Sequence, residues 1–292
     1  MIVAVLSGKG GTGKTLVSVN LASVVEGDSI YVDCDVEEPN GHLYFRTEES
    51  DKNVETISRL YPVVDSSKCL LSQNKDACAK CVDFCRFNAL ARVGERVQVF
   101  DQVCHSCGGC YIVCPARAIT EEARPIGHVY DYKVGNTRVL SGQMQTKQAF
   151  GIPIIAKILE MAKGSTLPTI IDCPPGSACT VMESIKDADF CIVVAEPSVF
   201  GAHNMKMVVQ LLRLFEKPFA AILNKYVEGA ENPSETLCEE ENIEVLHRIP
   251  FDVQIAHYHS EARIAAEEED RFKEMFESIL KRLTRRFGGD ME

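Results

Sequence analysis

The chain has 292 residues, 46% of them apolar and 25% charged, with a net charge of −11. That length suits one large α/β domain plus something smaller, and the acidic balance argues against non-specific DNA binding, which needs a basic surface. No apolar run approaches membrane-spanning length. The sequence enters its first expected strand without room for a signal peptide, so the thirteen cysteines point to thiolates in a reducing cytoplasm, and thus to metal, before disulfides.

The apolar run Ile2 to Leu6 reads as a buried strand. It is followed by Gly8-Lys9-Gly10-Gly11-Thr12-Gly13-Lys14-Thr15 and then by a helical pattern from Leu16 to Val25. Strand, glycine-rich G-x-x-x-x-G-K-[ST] loop and helix together form a phosphate-binding loop. The glycines let backbone N–H groups turn toward an anion at the positive end of the helix. Lys14 is expected on the β- and γ-phosphates and Thr15 on Mg²⁺. A second buried strand, Ser29 to Asp33, ends in Asp33-Cys34-Asp35 with Asn40 beyond it. Carboxylates at the carboxyl end of a strand sit where open α/β sheets bind ligands.

From Val63 to Thr120 the pattern is short and cysteine-rich. Cys104, Cys107, Cys110 and Cys114, followed by Pro115, give C-x₂-C-x₂-C-x₃-C-P, the run of bacterial ferredoxins. Upstream, Cys78, Cys81 and Cys85 repeat part of it, with Cys69 as the expected fourth ligand, a Leu70–Ala77 insertion in between and Arg86 in place of the proline. Zinc is the rival ligand for paired CxxC motifs; the three-residue gap and the proline favour iron–sulfur.

The α/β pattern then returns. A strand is expected at Arg138 to Leu140, a helix from Ile152 to Lys163, and a buried strand at Pro168 to Asp172 leading into Asp172-Cys173-Pro174-Pro175-Gly176. Gly176 carries no side chain, so its backbone can approach a phosphate. Strands at Phe190 to Ala195, Phe219 to Leu223 and Glu244 to Ile249 follow, the last two ending in Asn224-Lys225 and Pro250-Phe251-Asp252. The final stretch, Ala265 to Arg286, carries Phe272, Met275, Phe276, Ile279, Leu280 and Leu283 at helical spacing, with Lys281, Arg282, Arg285 and Arg286 on its other face. Such a stripe suits a helix packed on a sheet or a basic membrane-surface helix.

The second lysine of the loop, Lys9, together with the D-x-D-x-x-x-x-N and D-x-P-P-G segments, resembles the MinD/ParA/Mrp superfamily of P-loop ATPases with a deviant loop. The chain as a whole resembles a member with an inserted ferredoxin domain. The resemblance implies a doubly wound, mostly parallel α/β sheet, with residues 1–61 and 121–292 as the ATPase domain and 62–120 as an inserted α+β ferredoxin-like domain. It implies ATP and Mg²⁺ as ligands. Gly8, Lys9, Gly10, Gly11, Thr12, Gly13, Lys14, Thr15, Gly176, Asn224 and Pro250 would hold the nucleotide, with Asn224 reading the base. Thr15, Asp33 and Asp172 would hold Mg²⁺. Lys9, Lys14 and Asp35 would be catalytic, Lys9 reaching across a nucleotide-dependent homodimer and Asp35 orienting the attacking water.

For the cysteines the resemblance implies two [4Fe–4S] clusters with crossed ligation, Cys69, Cys78, Cys81 and Cys114 on one and Cys85, Cys104, Cys107 and Cys110 on the other. A cysteine near the position of Cys179 helps bind a cluster in one relative, but here a small residue packed at a helix start is the preferred explanation, since the earlier segment offers no obvious partner cysteine. The first functional expectation is an ATPase whose nucleotide state gates electron transfer to a redox partner protein. The alternatives are an iron–sulfur or metal-cluster scaffold or carrier handing a cluster to a client, and a MinD-type spatial organiser. A cytoplasmic protein is expected, with no nucleic-acid partner and no membrane association.

Overall fold

The computed structural model describes residues 1–74 and 77–287. The strands are β1 (Ile2–Leu6), β2 (Ser29–Asp33), β3 (Asn53–Val64), β4 (Leu90–Val93), β5 (Arg96–Val99), β6 (Ile119–Val134), β7 (Thr137–Met144), β8 (Thr169–Asp172), β9 (Phe190–Ala195), β10 (Phe219–Tyr226) and β11 (Val245–Pro250). The helices are α1 (Lys14–Ser23), α2 (Leu70–Gln73), α3 (Lys80–Phe84), α4 (Gly109–Val113), α5 (Ile152–Ala162), α6 (Cys179–Ile185), α7 (Val199–Leu214), α8 (Pro233–Glu240), α9 (Val253–Ser260), α10 (Ala265–Glu268) and α11 (Asp270–Phe287).

Two compact units divide the chain. The first contains Met1–Glu55, Val129–Gln143 and Gly151–Glu292; the second contains Thr56–His128 and Met144–Phe150. The nine-stranded sheet has the order β11-β10-β9-β1-β8-β2-β7-β6-β3, and the strands from β11 through to β2 lie wholly in the first unit. Pairing is parallel from β11 through to β7. Strand β1 lies between β8 and β9, so the chain order reverses beside it. This switch point is where open α/β sheets leave a crevice at the carboxyl ends of the strands.

The central strands are near-continuous apolar runs because both faces of the sheet are covered. Alternate residues divide between the faces. Val3, Val5, Tyr31, Ile170, Ile192, Val194 and Ile222 join one core with residues of α1 and α11. Ala4, Leu6, Ile171, Val193 and Leu223 are equally buried and alternate with them. Asn20, fully buried in α1, donates to Leu16 O at 2.7 Å and accepts from Ala266 N–H at 2.8 Å, tying α10 to the underside of the loop helix.

The apolar stripe of the final stretch packs inside the protein. Phe272, Phe276, Ile279 and Leu283 of α11 are buried in the same core, and α11 packs on α1 and β11. The single expected helix is two, α10 and α11, because Glu269 between them is extended. The side chain of Arg286, named with the basic face, lies outside the described residues. No described helix is long and apolar enough to cross a membrane.

The second unit is built differently. It holds the antiparallel pair β4–β5, the short helices α2, α3 and α4, and parts of the long strands β3, β6 and β7. Here the expectation of an inserted ferredoxin-like domain with two cluster sites is corrected. Among the described residues, no group of three or more His, Cys, Asp or Glu side chains is arranged to hold a metal ion. Part of the Leu70–Ala77 insertion, residues 75 and 76, lies outside the described residues.

Truncation at the centre of the first core should be costly. Phe276→Ala is expected to destabilise the first unit by about 3–5 kcal/mol, the range for buried aromatic-to-alanine changes. Urea unfolding followed by circular dichroism measures this, and a loss below about 1 kcal/mol would show that α11 is not an integral part of that core.

Candidate nucleotide site

The first loop runs from the end of β1 into α1. Gly11 and Gly13 have φ of +79° and +96°, a region open to glycine at little cost. A side chain on Gly13 would also strike the Asn224 amide, 2.1 Å from its notional Cβ, and one on Gly8 would strike the Asn204 backbone at 2.3 Å. The loop is therefore fixed from outside. Asn224 Nδ2 donates to Thr12 O at 2.7 Å, Lys225 Nζ donates to Gly11 O at 2.8 Å, and the Gly176 N–H donates to Ser7 O at 2.8 Å.

Strand register brings the carboxylates to this loop. Asp33 of β2 pairs in register with Asp172 of β8, and Val5 of β1 lies opposite Asp172. Both aspartates are buried at the carboxyl edge of the sheet. Lys14 Nζ makes an ion pair and hydrogen bond with Asp172 Oδ1. Tyr31 Oη donates to Asp172 Oδ2 at 3.1 Å. Asp33 accepts from the Asp35 N–H at 3.1 Å and from the Gly41 N–H at 2.9 Å. Asp33 thus holds both ends of the segment that follows β2, and Gly41 can approach because a Cβ there would lie 2.2 Å from Tyr31 Oη.

The charges are tuned by burial and by one another. Burial, reinforced by the Asp172 charge, pushes the Asp33 carboxyl up to about 7, against the opposing pull of Lys14. Burial raises Asp35 to about 6, again with Lys14 pulling down. Burial alone would lower Lys14, but Asp172 outweighs it and the ammonium ends above its usual range. The Tyr31 hydroxyl is driven upward by burial and by Asp172, so it stays a neutral donor.

Beyond this centre, Lys9 is paired at 2.5 Å with Glu196, a residue absent from the sequence expectations. Nothing in the residue pattern around Glu196 signals that role; only the neighbouring positions of β1, β9 and β10 reveal it. Asn224 is buried with its amide nitrogen committed to the loop. Pro250 ends β11 and Phe251 beyond it is exposed. Asn40 turns back on its own segment, donating to Glu38 O at 2.8 Å. Cys34, Cys173, Cys191 and Cys238 are buried, and Cys179 is exposed at the start of α6.

In the second unit the eight remaining cysteines line two separate cavities. Cys85, Cys104, Cys107 and Cys110 border one of about 670 Å³. Cys69, Cys78, Cys81 and Cys114 border one of about 20 Å³, little more than room for a water molecule. Within the larger cavity the thiols sit at unequal depth, Cys107 exposed and Cys104 and Cys110 buried. Burial pushes the Cys110 thiol up to about 11 and also raises Cys81. Two cysteines accept backbone hydrogen bonds, Cys104 from Ser106 at 3.4 Å and Cys114 from Ala118 at 3.2 Å.

Residues 3–263 match the family model described as CobQ/CobB/MinD/ParA nucleotide binding domain. The chain belongs to this family. The match runs through the cysteine-rich segment, and among the described residues no group of three or more His, Cys, Asp or Glu side chains is arranged to hold a metal ion; this overturns the two [4Fe–4S] clusters, the electron-transfer reading and the ferredoxin insertion.

Over 233 residues, 77% of this chain and 80% of the relative, it is 29% identical to an uncharacterized protein of Methanocaldococcus jannaschii. It is 25% identical over 138 residues to an iron–sulfur cluster carrier protein of the same organism, covering 42% of this chain and 48% of that one. Among solved structures, the septum site-determining protein MinD of Pyrococcus horikoshii, complexed with Mg-ADP, superposes with a TM-score of 0.59. It shares 18% identity and covers 97% of this chain and 95% of that one. At that identity the likeness establishes the fold.

The Tyr31–Asp172 hydrogen bond can be isolated by substitution. Tyr31→Phe keeps the ring packed on Phe45, 4.9 Å away between centroids, and leaves the carboxylate short of one donor. It should lower stability by about 1.5–3 kcal/mol, the range for hydrogen bonds to charged groups. Equilibrium denaturation measures the loss, and a change within about 0.5 kcal/mol would mean that water or another donor replaces the hydroxyl.

Proposed function

We propose that this protein is an ATP-binding and ATP-hydrolysing P-loop switch that dimerises with nucleotide, acting as a spatial organiser of the MinD/ParA kind. One observation carries the reading: the glycine loop, its two lysines and the three aspartates Asp33, Asp35 and Asp172 meet at the carboxyl edge of one parallel sheet. The family membership and the fold shared with MinD support it.

The residues fit the ligands. Thr12 Oγ1 is buried in the loop without a hydrogen-bond partner, a donor suited to a phosphate oxygen. The hydroxyl of Thr15 and the carboxylates of Asp33 and Asp172 are oxygen ligands of the kind Mg²⁺ takes. When bound, the ion offsets phosphate charge. Lys14 then exchanges Asp172 for the phosphates, which frees that carboxylate. Gly176, with φ of +92°, brings a backbone N–H near the loop without a side chain in the way. Asp35 is half-buried with its carboxyl tuned to about 6, suited to orient and polarise a water. Asn224 and Pro250 form the expected base end, and Lys9 the contact to a second copy. The segments after β2 and β8 both lead away from the phosphate position, so nucleotide state alters the surface they present to a partner.

Three variants separate the roles. Lys14→Ala should abolish fluorescent-ATP binding. Lys9→Ala should bind ATP within several-fold of wild type but remain monomeric in sedimentation velocity. Asp35→Ala should form a stable Mg·ATP dimer while hydrolysis falls by about 10²- to 10⁴-fold, the usual contribution of a positioned base. Wild-type protein that stays monomeric at saturating Mg·ATP would overturn the proposal. A fluorescent fusion should localise to discrete positions in cells and become diffuse on Lys14→Ala; uniform wild-type fluorescence would remove the organiser role.

A further inference from the structure

The charged groups around the loop do not wait empty-handed. Glu196 follows β9 and is anchored at both ends. Its carbonyl accepts from Ser234 Oγ at 2.7 Å and its Oε1 accepts from Ser198 Oγ at 3.1 Å. The carboxylate holds two lysines from two different loops, Lys9 Nζ at 2.5 Å on Oε1 and Lys225 Nζ at 3.1 Å on Oε2. Lys225 closes a ring, because the same ammonium donates to Gly11 O at 2.8 Å. The Glu196 side chain is 15% exposed, against 36% for Lys9 and 42% for Lys225, so the carboxylate is the fixed member and the lysines reach in to it.

We propose that Glu196 is a positioning residue that holds Lys9 back against its own loop and so sets the nucleotide concentration at which the dimer forms. The inference rests on the nucleotide-dependent dimer proposed above. A lysine bound to its own subunit is not free to reach a second one, so dimerisation must break the Lys9–Glu196 pair. Lys225 makes the exchange feasible. When Lys9 leaves, Glu196 keeps a cationic partner, which avoids the penalty of a part-buried carboxylate with none. The pair is therefore a threshold and not a lock, and its partial exposure makes it sensitive to salt.

The test is the ATP concentration giving half-maximal dimer in sedimentation velocity, with Mg²⁺ and a non-hydrolysable ATP analogue so that turnover does not intervene. Glu196→Gln keeps the shape and removes the charge. It should lower that concentration by about 3- to 10-fold, with 10-fold corresponding to about 1.4 kcal/mol. Lys225→Met leaves Glu196 to Lys9 alone and should raise it. Added salt should bring wild type toward Glu196→Gln. Wild type that dimerises while Glu196→Gln is unchanged or needs more nucleotide overturns the latch and leaves the dimer standing. Wild type that never dimerises overturns the dimer reading, and the latch with it. If Glu196→Gln does not fold, Lys225→Met decides: a raised concentration supports the latch and an unchanged one overturns it.

Discussion

The buried ion pair between Lys14 and Asp172 is the constraint on which the rest of the candidate site depends. Asp172 shares the carboxyl edge of the sheet with Asp33, one strand away in register. Two buried carboxylates so placed cannot both stay ionised without cations or donors nearby. Lys14, Tyr31 and the N–H groups of Asp35 and Gly41 supply that compensation. Removing one partner of such a pair costs about 3–5 kcal/mol because a buried charge is left alone. The arrangement is stable in itself and is also poised, since phosphate and a cation can replace each member of the pair with a partner of the same sign.

The loop illustrates how tertiary contacts set a local conformation. Its glycines permit the turn, but three neighbouring strands hold it. β8 leads to Gly176, β10 supplies Asn224 and Lys225, and β9 leads to Glu196. This follows from the reversal of strand order beside β1, which gathers the ends of several strands around one crevice. The family and the fold shared with MinD fit this arrangement.

Much of the first unit was legible in the sequence. The strand before Ser7, the helix after Gly13 and the aspartates closing β2 and β8 each follow from local pattern, because apolar runs, glycine loops and strand ends are short-range properties. The last helix was legible only in part. Its stripe was clear, but a stripe does not name the surface it meets, and packing on α1 and β11 chose the protein core. The cysteines show the limit from the other side. Spacing suggested two cluster sites; the structure sorts the same eight residues along two cavities of very different size, and among the described residues no group is arranged for metal.

By itself the sequence determined the phosphate-binding loop, the alternation of strand and helix, and the carboxylates at the strand ends, since each depends on neighbours a few residues away. Only the tertiary structure decided that Lys14 is held by Asp172, 158 positions along the chain, that Asn224 braces Thr12, and that Glu196 gathers Lys9 and Lys225. Those partners are brought together by strand order and register. An ion pair or hydrogen bond acts only over a few ångströms, so the sequence can propose such partners but the packed sheet alone selects them.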